Sequence, residues 1–117
     1  MSNHEKINYV EFPSTDLSAT KSFFKEVFGW KFEDYGAEYT AFSNSGVEGG
    51  FFKSSKQATT ETGSALVVLY SSDLEATQSK VQQAGGKITK TIFSFPGGRR
   101  FHFTEPAGNE LAVWSDR

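Results

Sequence analysis

Three side chains whose types could support acid–base or ligand-binding chemistry lie near the end of the chain. Arg99, Arg100 and His102 follow a predicted turn at residues 95–98, with the sequence FPGG. A guanidinium can hold a carboxylate or phosphate through two parallel hydrogen bonds. An imidazole exchanges protons near neutral pH, which suits a general base or a ligand. The structural alternatives are that the arginines are solvated or salt-bridged, and that His102 only makes a hydrogen bond.

Several catalytic classes have no support in the sequence. The chain has no cysteine, which excludes disulfides, thiolate metal sites and a cysteine nucleophile. Ser43 and Ser45 have no histidine and aspartate arranged near them as a hydrolase triad requires. The pair Gly97-Gly98 is not followed by a helix or by a Lys-Ser/Thr pair, so a phosphate-binding loop is not predicted.

Composition and charge limit which partners the chain is expected to have. The net charge of −2 gives no basic field, so nucleic acid is not an expected partner. No run of about 18 apolar residues predicts a membrane-spanning helix. Residues 1–6 are polar and have no apolar segment behind them, which is not typical of a signal peptide. We therefore expect a cytoplasmic protein that has no membrane partner.

The elements that must position these side chains are repeated along the chain. Residues 14–20 (STDLSAT) return 57 positions later as residues 71–77 (SSDLEAT). Residues 29–32 (GWKF) return as residues 85–88 (GGKI). A unit of this length is too small to bury its own apolar face, so two copies must pack together.

Each repeat predicts the order β-α-β-β-β. The first has predicted strands at 7–12, 30–34, 39–42 and 47–53, and its helix follows an N-cap at Asp16. The second has predicted strands at 65–70, 87–92, 99–104 and 110–115, with a helix after Ser72 or Asp73. We predict one α+β domain over residues 1–117, with modules at 5–53 and 64–117 and an exposed, mobile linker at 54–63. The modules should form a curved, cup-like mixed sheet with helices on its outer face.

A set of short motifs carries a resemblance that covers essentially the whole chain. They are Asp16-Leu17, Phe23-Phe24, residues 27–30 (VFGW), Gly85-Gly86 and residues 103–109 (FTEPAGN). In this order, and with the repeat, they make the chain similar to the vicinal-oxygen-chelate superfamily of glyoxalases, bleomycin-resistance proteins and extradiol dioxygenases. The resemblance implies the paired-module fold and a homodimer. It leaves open whether the modules pair within one chain or between two.

The resemblance also implies where a divalent metal would be held, by one side chain from each of four strands. Counted from the turn glycines and the capping aspartate, the four positions are Tyr9, Gly50, Leu66 and Ala112. A zinc or transition-metal site needs nitrogen, sulfur or carboxylate donors. Three of the four residues have no donor side chain, so we expect no metal cofactor and no metal-dependent glyoxalase or dioxygenase activity.

Strand alternation from those four positions predicts the wall of a ligand cavity. The predicted ligand-binding residues, with Arg100 near the mouth, are Tyr9, Glu11, Glu48, Gly50, Phe52, Leu66, Val68, Arg100, Glu110, Ala112 and Trp114. Aromatic walls and a few carboxylates suit an apolar or aromatic ligand with a cationic or hydroxyl group. The alternatives for the glutamates are that they are solvated, that they pair with arginines, or that they hold a hard cation.

Three functions are compatible with these residues. The first is a protein that binds or sequesters a small apolar or aromatic molecule. The second is a lyase-, isomerase- or dioxygenase-like enzyme with a relocated or metal-independent active site, for which Glu11, Glu110 and His102 are the catalytic candidates. The third is a non-catalytic interaction subunit whose cavity is filled by its own side chains. A small molecule and a second copy of the chain are the expected partners.

Overall fold

The structure is a computed structural model and describes residues 3–117. The prediction about residues 1–6 therefore falls partly on Met1 and Ser2, which lie outside the described residues. The first module has the elements β1 (Tyr9–Ser14), α1 (Leu17–Phe28), β2 (Lys31–Asp34), β3 (Tyr39–Ser43) and β4 (Glu48–Lys53). A single 3-10 turn (Thr60–Thr62) precedes the second module, which has β5 (Val67–Tyr70), α2 (Leu74–Gln83), β6 (Lys87–Phe95), β7 (Gly98–Thr104) and β8 (Glu110–Ser115).

The two helices begin in the same way, as the sequence repeat predicts. The Asp16 carboxylate accepts a hydrogen bond from the backbone N–H of Ala19 at 3.1 Å. The Asp73 carboxylate accepts the equivalent bond from Ala76, also at 3.1 Å. Each bond satisfies one of the N–H groups that a helix leaves unpaired in its first turn. The first helix ends at Gly29, which has a left-handed φ of 72° that glycine adopts without strain.

The strands form two separate four-stranded sheets, with the orders β1-β4-β3-β2 and β5-β8-β7-β6. In each sheet the first strand runs parallel to the last strand of its module, and the other neighbours are antiparallel. The α+β class and the β-α-β-β-β order are confirmed. The sheets stay open, because β1 and β5 each have a hydrogen-bonded neighbour on one side only.

The core lies between the helices and one face of each sheet, and it is largely aromatic. Phe24 of α1 stacks on Trp30 with ring centroids 4.5 Å apart, and it lies 5.4 Å from Phe51 of the first sheet. Its neighbour Phe23 lies 5.8 Å from Phe103 of the second sheet. Aromatic pairs at these distances add to the energy of area burial. Helix α1 therefore packs against both sheets and holds them together.

A buried polar network joins the two modules beside this core. Asn109 Nδ2 donates to the Pro13 carbonyl at 2.6 Å and to Glu105 Oε2 at 2.7 Å. The other Glu105 oxygen accepts from the Thr20 hydroxyl at 3.0 Å and from the Ala107 N–H at 2.7 Å. Burial raises the pKa of Glu105, although these donors oppose the rise. The turn between β7 and β8 is thereby fixed to the first module.

The predicted linker at 54–63 is attached to the same turn. The Ala58 N–H donates to Asn109 Oδ1 at 2.8 Å, and the Ala58 carbonyl accepts from the Glu110 N–H at 2.9 Å. Gln57 Nε2 donates to the Ala107 carbonyl at 3.1 Å. The prediction of an exposed, mobile linker did not include these bonds, because a polar composition does not show which partners a segment finds.

We predict that Asn109→Ala lowers the free energy of unfolding by about 2–4 kcal/mol, because it leaves several buried groups without partners. Urea denaturation followed by circular dichroism measures the change. The control is Asn8→Ala, which changes an exposed asparagine and should stay within about 0.5 kcal/mol of the parent protein. Equal stability of the two variants would contradict the role given to Asn109.

Candidate functional site

Each sheet has a second face, which points away from the helices and is named here the polar face. In the first sheet, Phe12 and Phe51 are buried on the core side, at 4% and 0% exposure. Because successive side chains alternate, Tyr9, Glu11 and Phe52 lie on the polar face. The register places Glu11 beside Gly50 and Tyr9 beside Glu48. Five predicted ligand-binding residues thus share this face: Tyr9, Glu11, Glu48, Gly50 and Phe52.

Tyr39 occupies the centre of this polar face, and the sequence analysis did not identify it. Its phenol lies over Gly50 so closely that a Cβ at Gly50 would overlap the ring end and hydroxyl. The Tyr39 hydroxyl donates to Glu11 Oε2 at 2.9 Å and lies 2.6 Å from the Tyr9 hydroxyl. Burial, and then the hydrogen bonds with Tyr9 and Glu11, raises the pKa of Tyr39, so its phenol is neutral at physiological pH.

One sequence signal could have identified this contact. A glycine inside a strand often marks a place where another group approaches the backbone closely. Ala41 is the direct neighbour of Gly50 across the strands, and Tyr39 is opposite Phe52. Tyr39 is therefore diagonal to Gly50, within reach for a long aromatic side chain.

The polar face of the second sheet combines aromatic rings with cationic and imidazole groups. Arg100 and His102 of β7 lie opposite Trp114 and Ala112 of β8. The members of this face are Val68, Tyr70, Phe93, Arg100, His102, Glu110, Ala112 and Trp114. The guanidinium of Arg100 lies over the rings of Phe93 and Phe95, 5.4 and 5.7 Å from their centroids. Leu66 precedes β5 and is half-buried.

His102 and Glu110 interact at one end of this face. His102 Nδ1 lies 3.4 Å from Glu110 Oε2, and His102 is only 4% exposed. Burial lowers the pKa of His102 more than Glu110 raises it, which favours the neutral imidazole. Burial opposes ionisation of Glu110, but hydrogen bonds from Thr60 and His102 outweigh it and hold the pKa of Glu110 below its usual value. Glu110 Oε1 accepts from the Thr60 N–H at 2.8 Å and from its hydroxyl at 2.9 Å.

An apolar groove lies elsewhere, between the edges of β1 and β5. It has a volume of about 420 Å³. Its walls are Val10, Phe12, Phe28, Trp30, Phe42, Asn44, Ser45, Val47, Val67, Val68, Leu69 and Tyr70. Of the predicted ligand-binding residues, only Val68 borders it. The predicted cavity wall is therefore divided, within one chain, between the polar faces of two separate sheets.

Comparison with known proteins agrees with this architecture. Residues 6–113 match the profile described as "Glyoxalase/Bleomycin resistance protein/Dioxygenase superfamily". The chain belongs to this superfamily. A search of curated proteins found no match.

Solved structures of this superfamily share the fold at low sequence identity. A glyoxalase/bleomycin resistance protein/dioxygenase family enzyme from Burkholderia phytofirmans PsJN has a TM-score of 0.79 and 12% identity, over 95% of this chain and 98% of that one. The fosfomycin resistance protein FosX from Listeria monocytogenes has a TM-score of 0.78 and 12% identity, with 95% and 93% coverage. Lactoylglutathione lyase from Agrobacterium tumefaciens has a TM-score of 0.72 and 17% identity, with 97% and 96% coverage.

The superfamily's metal does not fit the residues at its expected positions. The phenol of Tyr39 fills the space above Gly50, while Leu66 and Ala112 have no donor atoms. Within residues 3–117, no three His, Cys, Asp or Glu side chains are close enough to hold an ion together. Within one chain, the glutamates of the hard-cation alternative are divided, because Glu11 and Glu48 lie on one sheet and Glu110 on the other.

We predict that Gly50→Ala displaces Tyr39 and lowers the free energy of unfolding by about 1–3 kcal/mol, as overpacking usually does. The same substitution should cost clearly less in a Tyr39→Ala background, because the overlapping ring is then absent. A double-mutant cycle by urea denaturation measures the coupling. The control cycle replaces Tyr39→Ala by Tyr35→Ala, at a tyrosine that is 60% exposed. Equal costs in both backgrounds would show that Tyr39 does not fill the space above Gly50.

Proposed function

We propose that the protein binds a small apolar or aromatic molecule against the polar faces of its sheets, without a metal. The observation that carries this proposal is the replacement of the superfamily's donor positions by a surface of aromatic and apolar side chains. Tyr9, Phe52, Val68 and Tyr70 are 44%, 39%, 41% and 50% exposed. Two of these side chains lie on the first sheet and two on the second, and exposed apolar groups of this kind support binding at both faces.

We further propose that the ligand lies between two copies of the chain. The unpaired edges of β1 and β5 support this proposal, since a free edge is a template for pairing with another chain. Tyr9 and Val68 are exposed on these two strands. In a homodimer, the polar face of the first sheet in one copy meets the polar face of the second sheet in the other. Such an arrangement unites the two parts of the predicted wall.

An acid–base enzyme is the second candidate, and the contact between His102 and Glu110 favours it. A general base has to come within hydrogen-bonding distance of the proton it removes. His102 is 4% exposed, and its partner Glu110 already accepts two hydrogen bonds from Thr60. Ligand binding is therefore the better supported function.

We predict saturable binding of the neutral fluorescent probe N-phenyl-1-naphthylamine, measured as an increase in its emission. Phe52→Asp places a charge on the apolar surface and should weaken binding roughly tenfold or more. Ser79→Asp adds the same charge at an exposed position of α2 and should bind the probe as the parent protein does. An absence of saturable binding to the parent protein would refute the binding proposal.

We predict that the protein elutes as a dimer, with twice the mass of one chain, in size-exclusion chromatography with light scattering. Val68→Asp puts a charge on the free edge of β5 and should shift the population to monomer, because burying an unpaired charge is costly. Ser79→Asp again serves as the control and should remain dimeric. A monomeric parent protein at 100 µM, a concentration chosen to favour association, would contradict the proposed dimer.

A further inference from the structure

We infer that the bound molecule carries a carboxylate, which the guanidinium of Arg100 holds on the polar face of the second sheet. The inference rests on the proposed function, because it names the chemical class of that ligand. It follows from the surroundings of Arg100, which differ from those of every other charged group on the two polar faces.

The first observation is that Arg100 is a half-buried cation without a counter-ion. Its Nε atom is buried and makes no hydrogen bond. Among the described residues, no carboxylate lies within ion-pair distance of it. The adjacent Arg99 shows the opposite case, because it forms two hydrogen bonds with Glu75 and two more with the carbonyl of Arg117. A buried charge normally acquires a partner, so the empty position beside Arg100 suits an anion.

The second observation is that the neighbours of Arg100 add to its preference for an anion. His102, two residues along the same strand, is neutral and donates its Nδ1–H to Glu110, so its buried Nε2 accepts hydrogen bonds and gives an anion no donor. Lys90 lies opposite His102 on β6. The carboxylate nearest to this group, Glu110, is already engaged by Thr60 and His102. The positive charge added near Arg100 is therefore that of Lys90, whose ammonium lies 5.9 Å from the centroid of the same Phe93 ring.

The third observation concerns the rings around the guanidinium. Phe93 and Phe95 stack under Arg100, and Trp114 lies opposite it in the register, with its ring 6.4 Å from that of Phe95. Aromatic walls suit a flat ring, while the planar guanidinium suits the two oxygens of a carboxylate. Together they favour an aromatic carboxylate over a neutral or cationic ring.

The test uses isothermal titration calorimetry with 2-naphthoate and its neutral analogue 2-naphthamide. The parent protein should bind naphthoate at least tenfold more tightly than naphthamide. Arg100→Gln should abolish this preference, so that naphthoate and naphthamide bind with equal affinity. Arg99→Gln removes the same charge one residue away and should retain the preference.

Arg100→Lys provides a second variant in case Arg100→Gln unfolds, which thermal denaturation will reveal. Lysine keeps the charge but lacks the two-pronged donor geometry, so the preference should fall to an intermediate value. Equal affinity for the two probes in the parent protein would overturn the inference while leaving the proposed function intact. An equal loss of the preference for naphthoate in Arg99→Gln and Arg100→Gln would also overturn the inference, because the preference would then depend on the overall charge of the protein and not on Arg100. If neither naphthamide nor N-phenyl-1-naphthylamine binds, the proposed function fails as well.

Discussion

The structure depends on one constraint, which is that each sheet has a helix on only one of its faces. Phe12, Phe51, Phe101 and Phe103 are buried against the helices, and their strand neighbours must then point to the opposite side. Among residues 3–117 no helix covers that opposite side, although neighbouring side chains bury His102 and Ala112 on it. The polar faces are consequently a result of the fold itself, and any ligand or second copy that covers them is bound by residues the core does not use.

The sequence could predict the parts of the fold that depend on local chemistry. Asp16 and Asp73 begin helices because their carboxylates reach a backbone N–H three residues ahead. Gly29 ends α1 because the chain needs a left-handed φ there. The side of each strand that faces the core also follows from local alternation. These features depend on neighbours within a few positions, so one sequence is sufficient to find them.

The sequence could not predict features that depend on contacts between distant segments. Tyr39 covers Gly50 from another strand, and Asn109 bonds to Pro13 across 96 positions. The cavity wall was predicted as a single set of residues. Strand alternation shows on which face of a strand a side chain lies, but it does not show where that strand lies in the fold. The structure divides that set between two sheets that share no hydrogen-bonded strand. A pattern of strands does not indicate whether two sheets face each other within one chain or between two chains.

The contact between Tyr39 and Gly50 shows what occupies one of the positions where the superfamily would hold a metal. A divalent ion is a small, strongly charged group, and the donors around it must keep partners when it is lost. Here neutral phenols occupy the space, and Glu11 has Tyr39 as its donor. Glu11 thereby has a hydrogen-bond donor within the first sheet, whereas the buried Nε of Arg100 on the second sheet has no partner. This cation without a counter-ion is the reason that we infer an anionic group in the ligand, and the superfamily's metal positions hold residues that do not fit a metal.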